Sequence, residues 1–334
     1  YGFIGATVLW GARLASQSLS EEFADGTWDG QRTSGLSAWE MCTGKIFGGA
    51  AFAWYIGGWF LLLFIPAALS TLGPVELLKA VIGLILIALF AQALSLLSTL
   101  IAWRRLRRVS DSRRRWLSLV LLLFAFQAIN RALPWLNAGN GEISLLIWFD
   151  RPWPYADFLL ASLALFTGWT LLGVHRAMRA ELQFRDPPWT WIAFLLFLQV
   201  YVVGWIGSAL FDNSIAQHPA LAAFGSVAVL RLVAATLVAL LLAYIFVFAE
   251  AKERLPYERL LAELRTRRLD RLLAAPPLWL VNALLAAATS LLAIAAAVGD
   301  TDVAGLIVLG TGLLAMLLFA VRDFAVVLWC NFGP

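Results

Sequence analysis

The sequence is poor in the residues that build metal centres and disulfide frameworks. Only two cysteines, Cys42 and Cys330, and two histidines, His175 and His218, occur among its 334 residues. Both cysteines fall in or near regions that we expect to face the cytoplasm, where thiols stay reduced, so a disulfide scaffold is disfavoured. The two histidines are too few and too far apart in sequence for a histidine-rich metal site.

Several catalytic motifs are missing as well. A phosphate-binding loop needs the pattern G-x-x-x-x-G-K-[ST]. The one Gly-Lys pair of the sequence, Gly44 and Lys45, is followed by Ile46 and has Trp39 where the first glycine is required. The patterns H-E-x-x-H, G-x-S-x-G and C-x-x-C do not occur. We therefore expect no ATPase activity in this chain and no cofactor bound by it.

Charged residues are scarce and apolar residues abundant. The charged fraction is 14% and the hydrophobic fraction 61%, whereas a soluble domain has about a quarter of its residues charged. This composition indicates a polytopic membrane protein. Open strands would leave backbone groups unpaired in lipid, so the predicted fold class is all-α, a bundle of transmembrane helices. Apolar runs predict about nine spans: 1–16 (partial), 46–68, 76–103, 116–136, 155–175, 189–211, 220–249, 278–298 and 303–321.

The two ends of the chain are expected to be truncated. Residues 1–16 are apolar from Tyr1 onward but fewer than the roughly 20 that cross a bilayer, and they lack the basic n-region of a signal peptide. We therefore expect the N-terminal sequence to begin inside a span, with earlier residues missing. The predicted organisation is a transmembrane core over 1–249, a cytoplasmic amphipathic segment over 250–277 and a truncated transmembrane hairpin over 278–334.

The distribution of basic residues predicts the orientation, because loops that stay in the cytoplasm are rich in lysine and arginine. Seven arginines lie in 104–115 alone. The opposite loops carry little beyond Lys79, Arg131 and Arg151. The segments predicted to be cytoplasmic are 17–45, 104–115, 176–188 and 250–277.

Segment 17–45 is polar and acidic, although a loop beside anionic lipid tends to be basic. Its acidic residues outnumber Arg32 and Lys45. Gly26 is expected to break one helix, and Thr27 to cap a short second helix that ends at Gly35. The acidic residues are Glu21, Glu22, Asp25, Asp29 and Glu40.

A third helix is predicted to begin within the same segment and to lead into the membrane. Ser37 and Glu40 form the capping-box pattern S-x-x-E ahead of the apolar run. Lys45 is expected to extend its side chain to the membrane interface. The predicted order is therefore span, acidic turn, short helix, turn and capped span.

This segment resembles the corresponding part of the ABC-2 type permeases, the membrane subunits of one class of ATP-binding cassette transporter. In that family the short helix is a coupling helix, which docks into a groove on the ATP-binding subunit. The resemblance is confined to 17–45 and rests on Glu21, Glu22, Gly26, Thr27, Arg32, Leu36, Glu40, Gly44 and Lys45.

The resemblance implies a permease subunit in a prokaryotic plasma (inner) membrane, surrounded by lipid and with no nucleic acid as a partner. It implies a separate ATP-binding subunit, which holds ATP and Mg, and a second permease subunit that is identical or different. Trp28 and Leu36 would fill the partner's groove, since buried aromatic residues are common interface anchors. Asp29 and Arg32 would hold the short helix in that groove through polar contacts. The implied coupling residues are Glu22, Gly26, Thr27, Trp28, Asp29, Gln31, Arg32 and Leu36.

The chain departs from the family, whose common membrane domain has fewer spans. Either the permease is extended, or two half-modules are fused and 250–277 is a second partner-facing element. The charged helix that follows Pro256 suits this role. A helix that lies on the inner leaflet with its arginines among the headgroups explains the same pattern.

Polar side chains inside predicted spans are candidates for function because burying them in lipid is costly. For the glutamines and asparagines we expect hydrogen bonds between helices. Arg231 has no partner that is evident from the sequence, and structural pairing and a role on the substrate path are both open. Gln127, Asn130 and Arg131 are spaced as neighbours on one helix face. The candidates are Gln127, Asn130, Arg131, Gln199, Arg231 and Asn282.

Two other functions compete with transport. A non-transporting membrane scaffold or sensor is compatible with the same composition. A membrane-embedded enzyme acting on lipid requires carboxylates, histidines or serines clustered at one membrane face, and the inner loops offer acidic residues without a histidine or cysteine cluster.

Overall fold

The computed structural model describes residues 1–106, 145–184, 188–207, 224–249 and 276–332, together with 257–258, 262–263 and 265–266. The chain divides into two compact units. Unit 1 comprises Tyr1–Leu145 and Pro154–Asp186, and unit 2 comprises Leu146–Trp153 and Pro187–Pro334.

Unit 1 is helical throughout its described part. A π-helical segment, Ile4–Trp10, runs directly into α1, and a second one, Gly44–Gly48, follows directly on α3. The α-helices are α1 (Gly11–Ala24), α2 (Trp28–Arg32), α3 (Ala38–Thr43), α4 (Ala51–Leu69), α5 (Pro74–Leu106) and α6 (Tyr155–Glu181).

The helical run that Ile4–Trp10 forms with α1 is antiparallel to α4, and it packs closely against α4 and the preceding Gly49. A Cβ atom on Gly57 would meet the side chains of Thr7 and Phe3, and one on Gly49 would meet that of Ser18. Ala53 and Gly57, four residues apart on α4, are both buried. Gly44 and Gly48 do not take part in this packing, because neither has a neighbour within 4 Å of a Cβ position.

Helix α5 runs parallel to both α1 and α6. Gln92 on α5 is fully buried, and its amide donates to the Thr7 carbonyl at 3.0 Å and accepts from the Trp54 indole at 3.1 Å. Towards α6, the Thr167 hydroxyl lies 3.4 Å from the Leu86 carbonyl. Polar side chains thus join the helices of unit 1 where the alternative is an unpaired group in lipid.

Unit 2 contains four described helices and most of a β-hairpin. The hairpin is a departure from the predicted all-α fold: its strands pair as a two-stranded sheet. The elements are β1 (Leu145–Trp148), β2 (Arg151–Pro154), α7 (Trp189–Val203), α8 (Val227–Ala249), α9 (Leu278–Asp300) and α10 (Val303–Phe332).

The core of unit 2 forms where α8 and α9 pack antiparallel. Alanines line this interface and permit close approach, among them the fully buried Ala243, Ala286 and Ala293. Halfway along it the hydroxyls of Thr236 and Thr289 share a buried hydrogen bond of 2.9 Å.

Six helices of the described part, α4, α5, α6, α8, α9 and α10, are long and apolar enough to cross a membrane. The chain is therefore a multi-pass helical membrane protein, and the count of nine spans is not reached. The predicted span 116–136 lies outside the described residues. Residues 1–16 form only the beginning of a helical run, and within 189–211 the helix α7 has 15 residues.

Candidate functional site

The short helix α2 is bracketed by two glycines in the left-handed conformation. Gly26 has φ +72° and Gly35 has φ +73°, a region that residues with a Cβ rarely adopt. The predicted helix break at Gly26 and the turn at Gly35 are therefore confirmed. Thr27 stands at the N-cap position of α2 but makes no capping bond there, and its hydroxyl donates to the Glu22 carbonyl at 3.3 Å instead. The expected threonine cap is wrong.

Trp28 fixes α2 to the body of unit 1. Its side chain is 5% exposed and its ring centroid lies 4.8 Å from that of Phe23 on α1. Phe23 in turn stacks on Trp103 of α5, with centroids 4.4 Å apart. The expectation that Trp28 fills a partner's groove needs correction, because its indole fills the chain's own core.

Three more of the expected coupling residues, Asp29, Arg32 and Leu36, are accessible. The Asp29 side chain is 85% exposed, and its carboxylate lies 3.5 Å from the Arg32 guanidinium. Leu36, just after Gly35, is 49% exposed. An accessible ion pair beside an accessible leucine is thus what α2 and the following turn present to the surroundings.

Glu22 lies beneath α2 rather than on its outer side. Its carboxylate accepts hydrogen bonds from Nζ of Lys45 and from Nε2 of Gln31. Lys45 is only 7% exposed, so the expected extension of its side chain to the membrane interface is wrong. Sequence reasoning missed this pairing, although opposite charges on the two sides of one polar segment were a signal for it.

The start of α3 is capped as predicted. The Ser37 hydroxyl accepts from the Glu40 backbone N–H at 3.3 Å, and the Glu40 carboxylate accepts from the Ser37 N–H at 2.7 Å. Hydrogen bonding with the Ser37 side chain, and then with its backbone N–H, lowers the pKa of Glu40. In the same helix, burial raises the pKa of the Cys42 thiol to about 12.

Three segments predicted to share one side of the membrane meet at one end of unit 1. Trp39 of α3 stacks on His175 of α6, with ring centroids 4.5 Å apart, and Phe23 stacks on Trp103 near the end of α5.

An open cleft of about 570 Å³ lies under α2 at this end, lined by residues that include Ser18, Glu22, Gln31, Leu36, Glu40 and Lys45.

Arg231 of unit 2 is paired, which is one of the two roles that its sequence left open. Its guanidinium lies 2.7 Å from the Asp150 carboxylate and 5.2 Å from the centre of the Phe149 ring. Its Nε donates to the Ile206 carbonyl at 2.9 Å. The hairpin adds a bond from the Phe149 N–H to the Gly204 carbonyl at 2.8 Å. Together these groups satisfy carbonyls at the C-terminal end of α7, where lipid offers no donors.

The amide side chains of unit 2 join helices, as predicted. Gln199 donates to the Ala235 carbonyl at 3.1 Å. Asn282 is fully buried and its Oδ1 accepts from the Trp191 indole at 3.2 Å. Its Nδ2 has no hydrogen-bond partner among the residues that the structure describes. The three other candidates, Gln127, Asn130 and Arg131, lie outside the described residues.

Segment 250–277 is described only in part. Tyr257, near its start, accepts a hydrogen bond from the Trp279 indole at 2.9 Å and packs against the ring of Phe332. One point of the charged segment is thereby attached to α9 and α10. The rest of its predicted amphipathic helix lies largely outside the described residues.

Within the described ranges, no three histidine, cysteine or acidic side chains are grouped so that they could hold a metal ion. No family model, curated protein or solved structure matches this chain. Its function is therefore inferred from its own residues and geometry.

Proposed function

We propose that this chain is the permease subunit of an ATP-binding cassette transporter of the ABC-2 type, driven by a separate ATP-binding subunit that holds ATP and Mg. A second permease subunit, identical or different, completes the path. The proposal rests mainly on α2, a five-residue helix fixed to unit 1 by Trp28 and placed between two helices that lead into the membrane.

The geometry of α2 suits a surface on which an external protein pushes. One side is anchored by the contact of Trp28 with Phe23. Asp29 and Arg32 of α2, and Leu36 just after it, are accessible to a partner. Because α2 is fixed through side chains and bracketed by tight turns, a force on it reaches α1 and α5 instead of being absorbed by a loose loop.

The directions of the helices in unit 1 support one further crossing between α5 and α6. Contacts of Thr7 with Gln92 and of Phe23 with Trp103 show that α1 and α5 are parallel. Contacts of α5 with α6 are parallel as well. The end of α5 and the start of α6 therefore lie at opposite ends of unit 1, which supports the proposed further crossing within 116–136.

The meeting of α3, α6 and the end of α5 supports a common side for 17–45, 104–115 and 176–188. The excess of arginine in these segments favours the cytoplasm for that side, and 250–277 is assigned to it by the same criterion.

The proposal is tested by co-purification of the chain with an ATP-binding subunit from its own host. We expect a complex whose ATP hydrolysis depends on Mg. Leu36→Ser is expected to weaken the complex about tenfold or more, because a desolvated apolar anchor is lost.

Leu69→Ser serves as the matched control. Leu69 is a leucine of similar exposure, 53%, at the far end of α4, so this variant is expected to bind the ATP-binding subunit normally. Equal binding by both variants would count against α2 and its flanking turn as the docking site. The absence of any ATP-binding subunit would refute the proposed function itself and favour a scaffold.

A further inference from the structure

A largely buried ion pair joins α2 to the helices on its two sides. Glu22, in the last turn of α1, receives Nζ of Lys45 from the π-helical segment that leads to α4. Gln31 of α2 donates to the same carboxylate. The exposed fractions of the two charged side chains are 8% for Lys45 and 21% for Glu22. Water and salt screen such a pair far less than an ion pair on the surface.

A second contact between α1 and the residues that lead to α4 lies one helical turn away from the ion pair and strengthens the junction of these two segments. A Cβ on Gly49 would lie 2.9 Å from Oγ of Ser18, so the backbones approach closely there. Ser18 and Glu22 are four residues apart on α1, and Lys45 and Gly49 are four apart on the facing chain, so each pair shares one helix face. The end of α1 and the start of the next span are therefore joined at two successive turns.

The regular helix is interrupted immediately after this junction. Ala50 has φ −103° and ψ 19°, and together with Gly49 it separates the π-helical segment from α4. π-Helical turns and breaks in the hydrogen-bond ladder are where helices bend. Lys45 thus lies on the α2 side of this interruption, and α4 lies beyond it.

We propose that Lys45 is a positioning residue, which transmits displacement of α2 to α4 through Gln31 and Glu22. This inference rests on the proposed function. When the partner displaces α2, Gln31 shifts the Glu22 carboxylate to which it donates. Lys45 follows, because its ammonium group is paired with that carboxylate and both side chains are poorly solvated. The turn that carries Lys45 then displaces the start of α4, and the chain bends at Gly49–Ala50.

The test uses the whole chain in complex with its co-purifying ATP-binding subunit, reconstituted in lipid. A fluorophore on Leu69→Cys reports on the far end of α4, in a Cys330→Ser background. MgATP with orthovanadate traps the ATP-binding subunit without the need for a transported substrate. We expect trapping to change the fluorescence of the otherwise wild-type complex.

In Lys45→Met we expect vanadate trapping to persist while most of the fluorescence change is lost, because the ion pair with Glu22 is removed. Lys45→Arg, which keeps the charge, is expected to retain most of the change. Lys79→Met is the matched control: Lys79 forms ion pairs with Glu76 at 3.0 Å and Asp157 at 2.6 Å near the other end of unit 1, so its loss is expected to leave the change intact.

A full fluorescence change in trapped Lys45→Met overturns the inference, and so does the absence of a change in the otherwise wild-type complex. If Lys45→Met does not assemble, Gln31→Met decides the matter, because it removes only the bond from α2; an undiminished change in that variant overturns the inference. If no ATP-binding subunit binds the wild-type chain, the proposed function fails first, which is distinguishable from the other outcomes.

Discussion

The guanidinium of Arg231 lies 2.7 Å from the carboxylate of Asp150, at the tip of the β-hairpin. Phe149 and Asp150 form the two-residue turn and both have positive φ, 51° and 59°. Such conformations cost on the order of 1–3 kcal/mol each in residues other than glycine. Arg231 contacts both residues of the turn, so it offsets part of that strain and keeps the hairpin on the end of α7.

Removal of this arginine is expected to destabilise unit 2. Arg231→Gln breaks the ion pair and weakens the bond to the Ile206 carbonyl. Because the arginine is only 22% exposed, we expect a loss of about 1–3 kcal/mol in the free energy of unfolding. Thermal unfolding of the purified chain in detergent measures it.

Arg322→Gln is the control for that experiment. Arg322 is 63% exposed and pairs with its neighbour Asp323, so its replacement is expected to change stability by less than about 1 kcal/mol. Equal shifts for the two variants would contradict a special role for Arg231.

The contact between α4 and the π-helical segment Ile4–Trp10 predicts opposite effects at two adjacent glycines. In Gly57→Ala the new methyl group overlaps the Thr7 side chain, and overpacking of this kind costs about 1–3 kcal/mol. In Gly58→Ala nothing lies within 4 Å of the methyl group, and alanine favours a helix by up to about 1 kcal/mol. Denaturation in mixed micelles distinguishes them. A loss of stability in both variants would show that the glycines are needed for the flexibility of the helix and not for close packing.

The capping box at Ser37 and Glu40 predicts a pH dependence. Its hydrogen bonds hold the pKa of Glu40 below the usual value, which is about 4.3. The stabilisation is therefore present above the usual pKa and is lost as the pH falls through the lowered value. We expect the amide of Glu40 to lose protection from hydrogen exchange, corrected for the intrinsic rate, as the pH falls below the usual pKa of a glutamate and through the lowered pKa of Glu40.

Ser37→Ala is expected to reduce that protection already at neutral pH, because the amide loses its acceptor. Glu40→Gln should make the protection insensitive to acid. A persistent acid transition in Glu40→Gln would assign the effect to another group.

The two cysteines are expected to differ in reactivity. Cys42 is 1% exposed, and burial raises its pKa to about 12, so almost no thiolate exists at neutral pH. Cys330 is exposed. We expect a water-soluble maleimide to label the chain in detergent at Cys330, and Cys330→Ser to abolish labelling. Rapid labelling of Cys42 in the native chain would show that α3 opens away from α6.

Features set by neighbouring residues were predictable from the sequence. The capping box needs only Ser37, Glu40 and the apolar run that follows. The helix break at Gly26 and the turn at Gly35 likewise follow from the freedom of glycine to adopt positive φ. The helical fold and its membrane character follow from the length and composition of the apolar runs.

Features set by distant residues were not predictable. The side of α2 to which Trp28 points depends on Phe23 and Trp103, which sequence spacing does not place together. The hairpin was missed because its turn is Phe-Asp, without the Asn-Gly or Asp-Gly signal of a two-residue turn. The early end of α7 was missed because a run of apolar residues does not show where hydrogen bonds from another segment replace the backbone hydrogen bonds of the helix.

The pairing of Asp150 with Arg231 also has a consequence for biogenesis. Their side chains are 81 residues apart in the chain, and at ribosomal rates of about 5–20 residues per second the carboxylate is made roughly 4–16 s before its partner. During that interval the nascent hairpin lacks its cation, and until Val203 has been synthesised it also lacks the end of α7. The translocon must therefore release this stretch to water, or shelter it, until α8 has been synthesised.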